Sequence, residues 1–321
     1  MSTCGQPRGP RIRSVCDMTQ LSMTGKSPSL DQQVRQAEIF ASLHRPGDPL
    51  LLPNAWDVAS AVMIASAGAK AIATTSAGVA WSLGVRDAAD LGPHRAAAVI
   101  ERITAAVKVP VSADIEAGYG PDPDAVAATV TAVIRAGAVG VNLEDRSGQD
   151  GAPLFEPAEQ AERLAAARAA ADRLAMPLWI NARTDAFLAG AGPEAERVDA
   201  VLERAAAYAA AGADSLFVPG LTDLAAIAKL AAGPPLVGVM VWAGAPTVAE
   251  LASAGAVRIS LGSAIAQAAY AVAGRAAAEL LSDGTYNTSA DGIPYDEINN
   301  ALTPGSSQAD SARYGQEADR I

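Results

Sequence analysis

Four times along this chain an alanine-rich, helix-favouring run ends in the same way and gives way to a short apolar stretch: Ala67-Gly68-Ala69, Ala136-Gly137-Ala138, Ala211-Gly212-Ala213 and Ala254-Gly255-Ala256. Glycine adopts the left-handed backbone that closes a helix more readily than any other residue. A device that stops a helix and starts a strand, used repeatedly, restricts the architecture to alternating elements, and strands separated by helices lie parallel in one sheet. The apolar runs predict strands over 50–54, 71–75, 109–116, 139–144, 178–183, 215–218, 236–241 and 258–261. Helices are predicted over 31–43, 57–67, 93–107, 123–136, 157–174, 193–211, 222–232, 248–254 and 263–281, with loops over 76–86 and 145–156. Eight strand–helix units point to a closed (β/α)8 TIM barrel, a single domain over residues 30–282, rather than an open sheet.

The flanks read differently. Residues 1–29 mix Arg, Ser, Gly, Pro and Thr without a secretory apolar core and are expected to be a disordered extension; 283–321 are expected to be a tail. Cys4 and Cys16 both precede the first regular segment and have no metal-type spacing, so a reduced cytoplasmic setting is expected. The formal charge of -11, with no basic cluster to offset it, argues against nucleic acid or an anionic membrane as partner. No apolar run reaches the roughly 20 residues of a membrane span. A small-molecule site carrying its own cation fits the charge better.

In a (β/α)8 barrel the chemistry sits at the C-terminal ends of the strands. The third predicted strand ends in Asp114-Ile115-Glu116 and runs into Ala117-Gly118-Tyr119-Gly120. Residues two apart on a strand share a face, so Asp114 and Glu116 are expected to project together. Two adjacent carboxylates repel, and a hard divalent cation is the natural neutraliser. Strand four adds Glu144 and Asp145, strand five Arg183 and Asp185, strand one Asn54, Trp56 and Asp57, and strand two Thr75 and Ser76. Asp87, in the loop after strand two, can reach the same mouth. His44 and His94 fall away from the strand ends and are read as structural.

These segments carry a resemblance. Pro53-Asn54-Ala55-Trp56-Asp57, Thr75-Ser76-Ala77-Gly78, Gly84-Val85-Arg86-Asp87, Asp114 to Gly120, Asn142-Leu143-Glu144-Asp145 and Asn181-Ala182-Arg183-Thr184-Asp185, in that order, resemble the isocitrate lyase and phosphoenolpyruvate mutase superfamily. The resemblance implies a Mg2+-dependent barrel enzyme (Mn2+ being an alternative ion) that makes or breaks a bond beside a 2-oxo or enol acid. It also implies a homotetramer or homodimer with an exchanged C-terminal helix. Residue by residue, it implies that Asp114, Glu116 and Glu144 hold the metal and that Asp87 lies at the same site. Thr75, Ser76 and Ala77 would meet the substrate carboxylate, Arg183 would pair with it or a second anion, and Asn54 and Trp56 would line the pocket. Tyr119 is the acid/base candidate, beside water on the metal.

Departures from the pattern narrow the reaction. Isocitrate and methylisocitrate lyases carry a Lys-Cys-Gly-His type of segment after strand four; here Arg146-Ser147-Gly148-Gln149-Asp150-Gly151-Ala152 has neither Cys nor His. Strands six and seven read Val218-Pro219-Gly220 and Gly238-Val239-Met240 where the lyases carry Glu and Asn, and the mutases usually have Asp in place of Glu116. The expected far side of the pocket is less polar, suited to a small or apolar substrate, and 146–156 is long enough for a lid. The preferred function is a Mg2+-dependent lyase cleaving a carbon–carbon bond of a small 2-hydroxy or 2-oxo acid through a metal-stabilised enolate, not isocitrate lyase itself. The alternatives are a phosphoenolpyruvate or phosphonopyruvate mutase or hydrolase, and a barrel that binds an oxo acid without turning it over.

Overall fold

In the computed structural model, which describes residues 29–303 apart from 90, 150–151 and 191–195, the alternation closes on itself. The order begins α1 (Leu30–Ser42), β1 (Leu50–Leu52), β2 (Asn54–Ala55), α2 (Val58–Ser66), β3 (Ile72–Thr74), α3 (Ser76–Ser82), α4 (Pro93–Ala106), β4 (Val111–Asp114), α5 (Pro123–Arg135) and β5 (Gly140–Glu144). A hairpin of β6 (Arg146–Gln149) and β7 (Ala152–Leu154) leads to α6 (Pro157–Arg173), β8 (Trp179–Arg183), α7 (Arg197–Ala210), β9 (Ser215–Phe217) and α8 (Leu224–Ala231). The chain continues through β10 (Leu236–Met240), α9 (Val248–Ser253), β11 (Ala256–Ser260), α10 (Ala264–Asp283) and α11 (Tyr295–Ala301). All four glycines that end the repeated helix stops have left-handed backbones: Gly68 at φ 95°, Gly137 at 96°, Gly212 at 94° and Gly255 at 97°.

The main sheet runs β1-β11-β10-β9-β8-β5-β4-β3-β2, parallel throughout. Its two ends are one stretch of chain divided by Pro53, which has no N–H to offer a ladder. Leu50 to Leu52 pair with Arg258 to Ser260 of the last strand, whereas Asn54 and Ala55 pair with Ala73 and Thr74. The first strand, expected over 50–54 as one piece, is thus a split stave over 50–55 that closes a (β/α)8 TIM barrel. Asn54 fastens the seam, its Nδ2 donating to the Thr74 carbonyl at 3.2 Å and its Oδ1 accepting from the Leu261 N–H at 3.1 Å.

The helices pack by the period expected of them. On α5 the buried positions are Val126, Thr129, Val130, Val133 and Ile134, an i, i+3, i+4, i+7, i+8 stripe. Each aliphatic member contributes roughly 1.5–3 kcal/mol by leaving water. Asp122 caps the helix by accepting from the Ala125 N–H at 2.8 Å, and Asp57 caps α2 in a reciprocal box with Ser60. The expected loop over 76–86 is instead helical to Ser82, because Ala77, Gly78, Val79 and Ala80 bury a small-residue face; a Cβ on Gly78 would come within 2.8 Å of Trp56 Cβ. The expected lid over 146–156 is the β6–β7 hairpin. Of the expected extension, residues 1–28 lie outside the described residues, as does Pro193 at the start of a predicted helix. Among the described residues no helix is long and apolar enough to cross a membrane.

Beneath the barrel, α1 brings Phe40 and the following His44 against Trp179. The His44 and Trp179 rings stack with centroids 4.0 Å apart, and His44 Nδ1 donates to the Phe40 carbonyl at 2.9 Å. Burial, reinforced by the charge of Arg258, lowers His44 to about 3. The folded protein therefore keeps this ring neutral where the unfolded chain takes up a proton below about 6.5. Its contribution is complete above pH about 6.5 and is lost as pH falls toward 3, at up to about 1.4 kcal/mol per pH unit. His44→Phe is expected to flatten the acid limb of a melting-temperature profile taken from about pH 7 to 4, and an unchanged limb would place the titrating group elsewhere.

Candidate active site

Asp114 ends β4 at the barrel mouth and is held from three sides. Its Oδ2 accepts the Ser76 N–H at 3.0 Å, its Oδ1 accepts Asn142 Nδ2 at 3.1 Å, and its own N–H donates to Thr74 Oγ1 at 2.8 Å. The Asn142 amide is the last link of a chain through the barrel interior. Trp179 Nε1 donates to Ser215 Oγ at 2.9 Å, Ser215 Oγ donates to Asn181 Oδ1 at 2.6 Å, and Asn181 Nδ2 donates to Asn142 Oδ1 at 2.8 Å. Asn142 and Asn181 stand two residues before Glu144 and Arg183 on their strands, so the period of 2 puts each pair on one face. That spacing was the signal by which the interior chain could have been found.

Glu116 requires a correction. The strand stops at Asp114, and Glu116 turns into a left-handed backbone at φ 50°, so the two carboxylates are not successive same-face strand residues. They remain neighbours because the Glu116 N–H donates to Asp114 Oδ1 at 3.4 Å. Tyr119 also sits at positive φ, 53°, and such non-glycine residues cost about 1–3 kcal/mol each. Glycine is required beside them: a Cβ on Gly118 would meet Val126 Cγ2 at 2.9 Å, and one on Gly120 would meet Ala125 Cβ at 2.3 Å. What holds this turn is Arg163 of α6, a fully buried residue to which sequence reasoning gave no role. Its guanidinium donates to the carbonyls of Ala117, Gly120 (3.2 Å) and Pro121 (2.6 Å) and lies 4.3 Å over the Phe155 ring.

Tyr119 hydrogen-bonds Glu116, and burial, aided by Glu116 and Asp114, pushes its phenol far above the usual range. Its proton is held more tightly than that of a free phenol, which suits it to donate a hydrogen bond to Glu116. Arg183, predicted to meet an anion, is already between two carboxylates: Nη1 is 2.9 Å from Glu144 Oε2, while Nε and Nη2 reach Asp185 at 2.5 and 2.9 Å. Behind it the Asp185 N–H donates to Asp145, whose other oxygen takes Arg204 Nη1 at 3.0 Å and Tyr208 Oη at 2.8 Å. Burial pushes the Glu144 carboxyl up to about 8 against the opposing pull of Arg183, with Asp185, Asp114 and Glu116 adding to the rise.

A cavity of about 190 Å³ opens here, lined by Asn54, Thr75, Ser76, Ala77, Asp87, Asp114 and Arg183 among the predicted residues. Asp87 is exposed at its rim. Glu116, Glu144 and Tyr119 stand beside the cavity rather than on its lining, and Trp56 packs toward Tyr270 of α10, ring centroids 6.4 Å apart. The amide of Asn54 is engaged by backbone on both sides, which gives this residue a seam-holding part as well. The far wall is apolar at Phe217, Leu188 and Met240, as expected, but it also contains buried Arg258, which the sequence placed on strand eight without a role.

Three oxygen-donor carboxylates crowded together, one of them driven toward its neutral form, are the chemistry that a hard divalent cation relieves. The donor set therefore fits magnesium in kind. Among the described residues no three acidic, His or Cys side chains converge into a finished coordination shell; Arg183 supplies the charge beside Glu144 instead.

Residues 40–281 match the family model for phosphoenolpyruvate phosphomutase. The chain belongs to this family. The uncharacterized protein Rv1998c of Mycobacterium tuberculosis is 36% identical over 264 residues, 81% of this chain and 94% of that protein. The crystal structure of a candidate lyase/mutase from Burkholderia cenocepacia J2315 is 38% identical at TM-score 0.79, covering 87% of this chain and 99% of that one. Oxaloacetate acetylhydrolase, solved with its product oxalate, is 27% identical at TM-score 0.74, covering 83% and 93%. Phosphomutase-family membership makes the chain an enzyme of the superfamily that the motif order resembled, one that contains lyases, mutases and hydrolases.

Proposed function

We propose that this enzyme is a magnesium-dependent lyase that cleaves a carbon–carbon bond of a small 2-hydroxy or 2-oxo acid and releases a pyruvate-like product. The observation that carries the reading is Asp114, held by Ser76 and Asn142 at a cavity whose other acidic neighbours, Glu116 and Glu144, lie within electrostatic reach. Asp114, Glu116 and Glu144 would hold the ion, with Asp87 at the rim. The chemistry a bound magnesium supplies is neutralisation of the enolate charge that develops as the bond breaks.

The chain's own residues would do the rest. The Thr75-Ser76-Ala77 corner and Arg183 would orient the substrate carboxylate. Tyr119, its proton retained on Oη, would orient Glu116 through their hydrogen bond. The interior chain from Trp179 to Asn142 fixes the Asn142 amide with its Nδ2 toward Asp114 Oδ1. The cavity is smaller than the roughly 300–1,000 Å³ of drug-sized sites, which favours a substrate of few carbons. The matched family model gives one reason to keep a second reading, a phosphonopyruvate or phosphoenolpyruvate mutase or hydrolase. Against it, the cations lining the cavity among the described residues are Arg183, already paired twice, and Arg258.

Assembly belongs to the same proposal. Only Ala266 of α10 is buried, while Tyr270, Val272, Leu280 and Leu281 are exposed, which supports docking or exchange of this helix within a homodimer or homotetramer.

The test of function is a panel of small 2-hydroxy and 2-oxo acids, with phosphonopyruvate alongside, assayed for pyruvate-like product in Mg2+ and in EDTA. Magnesium-dependent release from a 2-hydroxy or 2-oxo acid is expected. Turnover of phosphonopyruvate alone would favour the second reading.

A further inference from the structure

Arg258 is 2% exposed on β11 and lines the same cavity as Asp114. Neither Nε nor Nη1 has a hydrogen-bond partner among the described residues, and the Phe217 ring lies 5.8 Å from the guanidinium carbon. A buried cation left without hydrogen-bond partners carries a large desolvation penalty, and barrels fill this position with branched aliphatics. Among the described residues its favourable electrostatic partner is Asp114, and burial lowers it to about 10. Every other buried arginine described above has its donors engaged: Arg163 by backbone carbonyls, Arg183 by two carboxylates.

We infer that Arg258 determines specificity by receiving a second carboxylate of the substrate, at the end remote from Asp114, so that the acid taken by this enzyme is a short dianion. The inference rests on the proposed reading of the same pocket. A carboxylate brings an acceptor to a guanidinium whose Nε and Nη1 are unengaged, and the small cavity brings both ends of a short chain within reach. The expectation of a less polar far side is revised accordingly: two apolar walls flank one charged recognition point.

The test compares binding of L- and D-malate with that of L- and D-lactate, which lack only the distal carboxylate, on the full chain with Mg2+ by calorimetry. Oxalate, too short to span the cavity, serves as the control. Wild type is expected to favour malate over lactate by about tenfold or more, the scale of a charge-assisted bond. Arg258→Met should bring malate to the lactate level, keep oxalate within about threefold, and melt at the same temperature or higher, since an unpaired buried charge has been removed. A merely structural arginine would instead lower the melting temperature and leave the malate-to-lactate ratio alone. Should Arg258→Met fail to fold, the wild-type ratio and Arg258→Lys, expected to keep part of the preference, decide. No malate preference in wild type, or a preference unchanged in the variant, overturns the inference. Phosphonopyruvate binding more tightly than malate through Arg258 overturns the carboxylate assignment. Loss of oxalate binding in wild type counts against the metal-site reading instead, and the malate-to-lactate comparison still stands.

Discussion

An Asp114→Ala enzyme is expected to keep its barrel and lose its turnover. The substitution removes the carboxylate that faces the cavity and leaves the Ser76 N–H and Asn142 Nδ2 without an acceptor, at a cost of about 1–3 kcal/mol, well short of unfolding a domain of this size. The effect on catalysis is larger in kind. Without Asp114 the remaining acidic groups of the site are Glu116, bound to Tyr119, and Glu144, paired with Arg183, neither of them on the cavity lining, and Asp87 at the rim. Turnover should fall by at least about 10²–10³-fold, the range seen when one group stabilising a developing anion is removed. Circular dichroism and melting check the fold, and retained turnover would remove Asp114 from the metal site.

Replacing Arg163 with methionine should damage the same site from behind. The variant leaves the carbonyls of Ala117, Gly120 and Pro121 without their shared donor, under a turn already strained at Glu116 and Tyr119. Relief of the buried charge offsets part of the loss, so destabilisation of about 2–4 kcal/mol is expected in urea unfolding. A displaced turn moves Glu116 relative to Asp114, and misplacement by about 1 Å can cost about 10²-fold in rate. Arg163→Lys keeps the charge without the fork and should recover stability more than activity. Equal recovery of both, or wild-type kcat in Arg163→Met, would show that the turn holds itself.

Much of this fold was legible because its signals are local. The Gly-Ala stops needed only the backbone preference of glycine, and each predicted strand begins within two residues of an observed one. The split at Pro53 was less visible: whether a proline interrupts or ends a strand depends on which neighbours need its N–H, and here one half of the stave faces β11 and the other β3. The site divides in the same way. Asp114, Ser76 and Arg183 could be placed from strand ends, whereas Glu116 was misplaced because its positive φ is stabilised by Arg163, which lies 47 positions away in sequence on α6. Arg258 looked like any strand charge, since nothing local reveals that, among the described residues, its Nε and Nη1 meet no acceptor.

In the function proposed, Asp114, Glu116 and Glu144 form a magnesium site that takes an enolate-like anion. Calorimetric titration of oxalate into the wild-type enzyme, once in Mg2+ and once in EDTA, with Asp114→Ala in parallel, tests it most directly. Saturable oxalate binding that requires Mg2+ and disappears in the variant is the expected result. Oxalate binding of equal strength in EDTA, or binding that survives in Asp114→Ala, would contradict it.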